Sequence, residues 1–339
     1  MSDSSASEAL LAMVHGYQAS QMVYAAAKLG IADHLKDGPL SAEQVASRVG
    51  ADQEQMFRFL RGLAMHGVLT RNHQGLFALT AVGELLRSDR PSSLHDYVLF
   101  VDSEPMYQAW SGLWRSVLSG GVAFERVNGV AFFDHCVKNP EFGTRFNHLA
   151  GRRTHAVAAA LVAAYDFSSV TQVMDVGGGN GTLIAEILEA NRHLHGILFD
   201  MPSVIVDAQR YLQERGLLPR CQLVGGSLFE SIPQFDGLVL LKSILHDWDN
   251  AHCAQILEAC RKAMSAASKL LVIERVMPEG TDRAKSTIAS DLDMMVMVGG
   301  AERTEAEFRA LLESAGFTLC RVIPTESDRS VLECQCMPR

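Results

Sequence analysis

The sequence has little that would tie it to a membrane, a metal ion or an oxidising compartment. Its longest uninterrupted apolar stretch runs from residue 156 to 164, far short of the roughly 18 residues that a bilayer-spanning helix needs. The seven cysteines are odd in number and include no Cys-x-x-Cys pair, so neither a structural zinc site nor a disulfide framework is indicated. The N-terminus lacks the basic and apolar segments of a secretory signal. We therefore predict a cytoplasmic protein with reduced thiols, no bound metal and no membrane association.

Basic residues are also in short supply. The chain has 30 Lys and Arg against 39 Asp and Glu, a net charge of −9, and an acidic protein is a poor candidate for binding nucleic acid. Its 339 residues, 48% of them hydrophobic and 20% charged, have an ordinary globular composition. Because typical domains contain about 150 residues, we expect two: residues 1–100 and residues 101–339.

The first hundred residues have the helix and hairpin signals of a winged helix. Ser41 and Gln44 form a capping-box pair before a helix that Gly50 ends, and Asp52 and Gln55 form a second such pair. A hairpin with Gly75 at its turn follows, with strands at 68–71 and 76–79. Some winged helices bind DNA, but this segment has eight basic and ten acidic residues. We therefore favour packing or dimerisation over DNA binding for it.

The second half alternates short apolar runs with helical patterns, which is typical of a parallel sheet covered on both faces. Five strands are predicted at 171–176, 195–199, 221–224, 236–241 and 269–274. Two more runs, 317–323 and 330–334, are too close in sequence for a crossover connection, so we expect them to pair antiparallel. Between residues 103 and 165 the pattern is helical and rich in aromatic residues.

A glycine-rich loop follows the first of these strands. It reads Asp-Val-Gly-Gly-Gly-Asn-Gly from Asp175 to Gly181, and glycines at such a turn let a nucleoside approach the backbone closely. The Gly-x-Gly-x-x-Gly dinucleotide pattern fails in every register, and no Gly-Lys-Ser/Thr of a phosphate-binding loop follows. Asp200 closes the next strand, where a carboxylate is placed for a ribose diol. A nucleoside is therefore indicated, while a nicotinamide-dependent oxidoreductase is disfavoured.

Three motifs together resemble a known family. They are the loop Asp175–Gly181, the run Leu-Lys-Ser-Ile-Leu-His-Asp-Trp at 241–248, and Gly-Gly-Ala-Glu-Arg-Thr at 299–304. The chain resembles, over nearly its whole length, the S-adenosylmethionine-dependent O-methyltransferases of plant caffeate type and their bacterial natural-product relatives. The resemblance implies a class I methyltransferase sheet, mostly parallel with a reversed C-terminal hairpin. It also implies an N-terminal winged-helix dimerisation domain, and hence a homodimer.

The position of His246 can be argued from the pattern alone. It lies just beyond the carboxyl end of the fourth predicted strand, and Glu274 closes the fifth at the same edge, where open α/β sheets bind their ligands. Imidazole, with a reference pKa near 6.5, suits removal of a phenolic proton at neutral pH. The resemblance assigns His246 as general base, with Glu274 and Glu302 flanking it.

The resemblance also implies the residues that hold S-adenosylmethionine. Plant members have an aspartate where this chain has Ser227, whose hydroxyl can still hydrogen-bond an adenine amine but carries no charge. The predicted donor site consists of Asp175, Gly177, Gly179, Gly181, Asp200, Ser227, Leu228, Phe229 and Lys242.

The sequence says less about the acceptor. Met294, Met297 and Asp293 are candidate substrate contacts, although methionines at helical spacing equally fit a plain core. The leading hypothesis is methylation of an aromatic hydroxyl on a small secondary metabolite. Two alternatives are N-methylation of a heteroaromatic such as a phenazine, and a catalytically silent methyltransferase-like protein that binds a ligand or DNA.

Overall fold

The computed structural model describes residues 3–278, 280 and 284–338, and the chain divides into two compact units, Met1–Gln108 and Ala109–Arg339. The predicted boundary falls at residue 100. The helices before the large sheet are α1 Asp3–Lys28, α2 Ile31–Leu35, α3 Ala42–Val49, α4 Gln53–Met65, α5 Ala81–Glu84, α6 His95–Val101, α7 Glu104–Ser111, α8 Leu113–Ser119, α9 Ala123–Asn128, α10 Phe132–Lys138 and α11 Pro140–Ala164. Those that follow are α12 Thr182–Ala190, α13 Pro202–Glu214, α14 Asn250–Ala263, α15 Lys285–Met297 and α16 Glu305–Ser314. Among the described residues, none of the helices combines the length and apolarity that crossing a bilayer requires.

The strands form one large sheet and two small ones. The small sheets pair β1 (Leu69–Arg71) with β2 (Phe77–Leu79), and β8 (Val276–Met277) with β9 (Arg303–Thr304). The strands of the large sheet are β3 Gln172–Val176, β4 His195–Asp200, β5 Cys221–Gly225, β6 Leu238–Lys242, β7 Lys269–Glu274, β10 Phe317–Pro324 and β11 Ser330–Cys336.

The first unit has the helix, helix and hairpin order that the sequence predicts. The Ser41 capping box is present in full, with Gly50 in the left-handed conformation after α3. Of the second predicted capping box, only one of the two hydrogen bonds forms. Asp52 accepts a hydrogen bond from the backbone of Gln55, but the Gln55 side chain accepts from Arg58 instead of reaching back to the cap. The β1–β2 hairpin pairs antiparallel, as expected.

The large sheet confirms the predicted fold class. Its strand order is β10-β11-β7-β6-β3-β4-β5. The five strands from β7 to β5 run parallel, and the terminal β10–β11 hairpin is antiparallel. From β3 the chain continues to β4 on one side of that strand and later places β6 on the other side. The carboxyl ends of these three strands therefore flank the crevice where such sheets bind ligands.

Both faces of the sheet are buried, which explains the unbroken apolar runs. In β6, Val239 and Leu241 belong to one hydrophobic cluster, whereas Leu238 and Leu240 belong to the cluster on the opposite face. The same alternation separates residues of β3 and β7. A sheet packed on both sides holds its carboxyl edge rigidly, so the loops that leave this edge start from fixed positions.

Candidate active site

The loop after β6 carries the predicted base. Ser243 has a φ of 54°, the one described non-glycine residue with a positive φ, and this sharp turn leads into a short 3₁₀ helix, Leu245–Asp247. His246 lies in that helix and is buried, with 7% of its surface exposed. A positive φ in a non-glycine residue is sterically costly and persists only where the surroundings enforce it.

Glu274, at the end of β7, helps to hold the loop in this conformation. Its carboxylate is fully buried, and Oε1 accepts hydrogen bonds from the backbone N–H groups of Ile244 and Leu245, both at 2.9 Å. The other oxygen, Oε2, lies 3.9 Å from Nδ1 of His246. Glu274 therefore fixes the backbone of the histidine loop as well as placing a negative charge near the imidazole.

Glu302 makes the direct contact with the imidazole. Its Oε1 lies 3.1 Å from Nδ1 of His246, and a proton held on Nδ1 in the neutral ring leaves Nε2 with a lone pair. Asp247 Oδ1 lies 3.4 Å from that Nε2. The structure thus brings together the three predicted catalytic residues and adds Asp247, which sequence reasoning missed although it is the next residue along the chain.

These carboxylates control the charge of the imidazole. Burial disfavours the imidazolium, but Glu274, Asp247 and Glu302 outweigh it and raise the pKa of His246 to about 9. Burial also raises the pKa of Asp247, to about 6.

His246, Glu274 and Glu302 could together ligate a cation, since their donor atoms lie within 4.8 Å of one another. Arg275 Nη1, however, already lies 3.5 Å from Glu302 Oε1. That the protein binds no metal stays a prediction.

The motif at residues 299–304 brings Glu302 to the histidine loop. Gly300 packs against the loop backbone so closely that a Cβ atom there would lie 2.0 Å from the carbonyl oxygen of His246. Arg303, which is buried, donates to the carbonyl oxygens of Leu245 and Trp248, both at 2.8 Å. Gly300 and Arg303 both belong to the sequence motif, but only the packing reveals that they hold the loop bearing His246 in place.

The glycine loop after β3 adopts the conformation that its composition predicts. Gly177, Gly179 and Gly181 all have positive φ, of 74°, 59° and 83°. Asp200, at the end of β4, accepts from the N–H of Gly179 through Oδ2 and from the N–H of Met201 through Oδ1, both at 2.7 Å. The Asp200 carboxylate therefore holds the loop in shape from the neighbouring strand.

The glycine loop and the histidine loop touch. A Cβ atom on Gly177 would lie 2.4 Å from Cδ1 of Ile244. A side chain at position 177 would therefore require the Ile244 side chain to move. A ligand held by the glycine loop consequently lies beside the loop that carries His246.

Two ionisable residues, the buried Asp175 and the partly buried Lys242, lie at the ends of neighbouring strands β3 and β6. Asp175 is 1% exposed, its Oδ2 has no hydrogen-bond partner in the described structure, and burial raises its pKa to about 7. Lys242 donates from Nζ to Oγ1 of Thr154 on α11 at 2.9 Å, and burial lowers the pKa of this lysine. Thr154 is a second residue that sequence reasoning missed, because no local signal pairs α11 with β6.

The segment after β5 forms an apolar and aromatic surface. Ser227 Oγ accepts from the backbone N–H of Phe229 at 3.3 Å, so its oxygen is engaged in a local turn. Leu228 packs against the core cluster. Phe229 is 37% exposed and meets the ring of Trp248 edge-on at 4.8 Å, while Phe133 of α10 stacks on the same indole at 5.7 Å.

The predicted acceptor residues lie on α15. Met297 is buried, whereas Met294 and Asp293 are partly buried. Burial raises the pKa of Asp293, an effect that Arg153 and a hydrogen bond from Trp110 oppose. Their role in binding an acceptor stays a prediction.

Comparison with known proteins identifies the architecture. Residues 110–318 match the model of the O-methyltransferase domain, and residues 11–89 match the O-methyltransferase dimerisation domain. The chain belongs to the O-methyltransferase family. It is an S-adenosylmethionine-dependent O-methyltransferase, and the resemblance stated from the three motifs is confirmed.

This O-methyltransferase has relatives in bacterial natural-product biosynthesis. It is 40% identical to the phenazine O-methyltransferase PhzM of Lysobacter antibioticus, over 96% of this chain and 95% of that protein. Among solved structures, the mitomycin 7-O-methyltransferase MmcR has a TM-score of 0.94 at 34% identity, with 98% of each chain covered. An O-methyltransferase from neocarzinostatin biosynthesis, solved with S-adenosylmethionine and 2-hydroxy-5-methyl naphthoic acid, has a TM-score of 0.86 at 30% identity, covering 94% of this chain and 96% of that one.

Replacing Gly300 with alanine tests the close packing of the histidine loop. The three atoms nearest to the added Cβ are backbone atoms of residues 246–248. Backbone cannot yield as a flexible side chain would, so the loop must shift. Since a displacement of about 1 Å can cost about 10²-fold in rate, we expect Gly300→Ala to lower kcat by about that factor and to change the Kd for the donor little. Gly16→Ala, where a Cβ meets no atom within 4 Å, is the control. A Gly300→Ala enzyme with wild-type kcat would contradict the packing argument.

Replacing Asp200 with asparagine tests the support of the glycine loop. The amide loses the negative charge that the N–H of Gly179 binds, and hydrogen bonds to charged groups contribute about 1.5–3 kcal/mol. We expect the Kd for S-adenosylmethionine, measured by calorimetry, to rise about 10- to 100-fold. Asp207→Asn, on α13 in a surface ion pair with Arg210, should leave it unchanged. Equal affinities for the Asp200 and Asp207 variants would exclude Asp200 from the donor site.

Proposed function

We propose that the enzyme transfers a methyl group from S-adenosylmethionine to an aromatic hydroxyl of a small natural product, with His246 as the general base. The observation that carries this proposal is the 3.1 Å contact between Glu302 and Nδ1 of His246, which leaves Nε2 as the basic atom. The relatives support the acceptor class, since their names and bound ligands include a phenazine, a mitomycin and a naphthoic acid.

The residues at the ends of β3, β4 and β6 fit the donor. The glycine loop has room for a ligand, since a Cβ on Gly179 would meet no atom within 4 Å. The unpartnered Oδ2 of Asp175 and the Lys242 ammonium place one acceptor and one donor group near it. We assign the cofactor to these residues together with Asp200, Ser227, Leu228 and Phe229. Bound S-adenosylmethionine supplies an electrophilic methyl group on a sulfonium.

The chain's own residues then have to position the acceptor and take its proton. Bound S-adenosylmethionine would give its methyl group to the acceptor oxygen and keep the electron pair of the broken methyl–sulfur bond on sulfur, and Nε2 of His246 would take the hydroxyl proton. Glu302 stabilises the imidazolium so formed through its hydrogen bond at Nδ1. Glu274 keeps the loop in place through the amides of Ile244 and Leu245. Most of the rate enhancement in such a displacement comes from positioning.

The electrostatics of the free enzyme favour protonated His246. With a pKa of about 9, the imidazole is mostly protonated at pH 7. A cation on the glycine loop, which contacts the histidine loop through Gly177 and Ile244, favours the neutral ring because like charges repel. Bound S-adenosylmethionine would therefore favour the neutral, basic form of His246.

The acceptor is held, on this proposal, between α15 and the aromatic residues. Met294 and Met297 offer adaptable apolar surface, and Asp293 offers a polar group beside Trp110. The ring of Trp248, next but one to His246 in sequence, stacks with Phe133. A flat aromatic acceptor is the class that such a surface suits.

The match to a dimerisation domain supports a homodimer. Helix α1 leaves several large apolar side chains more than half exposed, which favours a partner chain over them. These are Leu10, Leu11, Met13, Val14 and Tyr17. The division into domains 1–100 and 101–339, the cytoplasmic location and the absence of a nucleic-acid partner remain proposals based on sequence.

N-methylation of a heteroaromatic is not favoured over O-methylation. The matched family model and the 40%-identical relative are both described as O-methyltransferases. Methylation of a hydroxyl also needs a base, whereas methylation of a ring nitrogen with a free lone pair needs none. The proposed base, His246, therefore has a role only in O-methylation.

Replacing His246 with alanine removes the base. We expect the turnover of a phenolic acceptor to fall by about 10²-fold or more, because general-base catalysis contributes about 10²–10⁴-fold, while calorimetry shows unchanged binding of S-adenosylmethionine. His73→Ala, at an exposed position between β1 and β2, is the matched control. An unchanged turnover number in the His246 variant would remove this residue from the mechanism.

The raised pKa of His246 predicts the pH dependence of the reaction. A base acts only when unprotonated, so kcat/KM should rise with pH and level off above a midpoint well above the reference value of 6.5. The acceptor's own hydroxyl also ionises, so two phenols of different acidity should be compared. A midpoint common to both belongs to the enzyme, whereas one that moves with the phenol would exclude His246 as its source.

A further inference from the structure

A second layer of polar residues lies behind Glu302. Ser290, on α15, donates its hydroxyl proton to Oε1 of Glu302 at 2.6 Å. Arg275, which follows β7, donates from Nη1 to Oγ of Ser290 at 2.9 Å and lies 3.5 Å from the same Glu302 oxygen. Oε1 of Glu302 therefore faces the Ser290 hydroxyl, the Arg275 guanidinium and Nδ1 of His246 at once.

We propose that Ser290 and Arg275 are positioning residues that act through Glu302 to set how readily His246 releases its proton. Neither side chain belongs to the motifs by which the family is recognised, and neither has to touch substrate to act. The catalytic consequence rests on the proposed role of His246 as base, but the effect on the imidazole itself does not.

The physical reason is competition for one carboxylate oxygen. Burial works against the charged form of Glu302, but hydrogen bonds from His246 and Ser290 outweigh it and lower the pKa of this carboxyl. Each donor withdraws negative charge from Oε1, so each weakens the hold of Glu302 on the imidazolium. Without the Ser290 hydroxyl or the Arg275 charge, the same oxygen would bind the Nδ1 proton more strongly.

The position of the carboxylate is also fixed from the backbone. The N–H of Glu302 donates to Oδ1 of Asp291 at 2.9 Å, one residue beyond Ser290 on α15. Arg275 is held in turn by an ion pair with Asp328, in the turn between β10 and β11. Glu302 is thus anchored through both its main chain and its side chain, which leaves it one orientation toward His246.

The other charges around His246 come from several elements. Asp247 lies on its own loop, and Glu274 closes β7. Lys242, at the end of β6, acts on Asp247, and the buried Arg329 acts on both Glu274 and Glu302. These groups stay in place when Ser290 is changed, so a shift in the imidazole titration then reports on the Glu302 oxygen.

The decisive variant is Ser290→Ala in the full-length protein. We expect the imidazole titration of His246, followed by NMR with ¹³C-labelled histidine and assigned by the signal missing in His246→Asn, to move up by about 0.5–1 pH unit. The midpoint of kcat against pH should move the same way. Ser290→Thr keeps a hydroxyl and should restore the wild-type midpoint, and Ser286→Ala, on an exposed position of the same helix, should leave it unmoved.

Arg275 gives an independent test with a conservative partner. Arg275→Met should also raise the midpoint, whereas Arg275→Lys, which keeps the charge, should stay near wild type. Thermal unfolding identifies any variant that fails to fold. The two variants of Ser290 and the two variants of Arg275 each test the proposal independently. The proposal is overturned if the midpoint of the His246 titration stays or falls in the folded variants while kcat is lowered equally at every pH. Both residues would then be structural supports only.

The NMR titration also separates this inference from the proposed function. If His246 is not the base, His246→Ala keeps its turnover while the imidazole titration still moves in Ser290→Ala. If His246 is the base but Ser290 has no influence, His246→Ala loses turnover and the titration stays fixed. The first outcome overturns the role of His246, and the second overturns the inference drawn from Glu302.

Discussion

The candidate active site depends on how the protein holds two buried carboxylates at the edge of its sheet. Glu274 and Glu302 are both shielded from solvent, and a buried charge is costly unless it is paired and hydrogen-bonded. Glu274 is stabilised by the amides of the histidine loop, and Glu302 by His246 and Ser290. The loop therefore folds around these charges, which places the imidazole between them.

That arrangement brings two loops of the candidate site together. The glycine loop and the loop that carries His246 leave neighbouring strands of a sheet packed on both faces, and they contact each other through Gly177 and Ile244. The same carboxylates that orient His246 also favour its protonated form. On the proposed mechanism, a positive charge nearby would favour the neutral ring, and Arg275 places one such charge beside Glu302.

The elements that the sequence predicts correctly are those with local signals. Alternation and apolar runs predicted the strands of the large sheet, and the short link between β10 and β11 predicted their antiparallel pairing, which the structure confirms. Ser41 and Gln44 predicted a capping box correctly, because cap and partner are three residues apart. The similar pair Asp52 and Gln55 failed in one half, since Arg58 competes for the glutamine side chain.

The sequence by itself therefore determined the fold class, the glycine loop and the chemical types at the site, because each depends on residues close together in the chain. Tertiary structure decided which of those residues meet. Glu302 reaches His246 across 56 positions of sequence, Gly300 is required by a contact that no local pattern encodes, and Ser290 lies on a helix without any motif. Distances of this kind are set when separate elements pack together, and a single sequence does not state them.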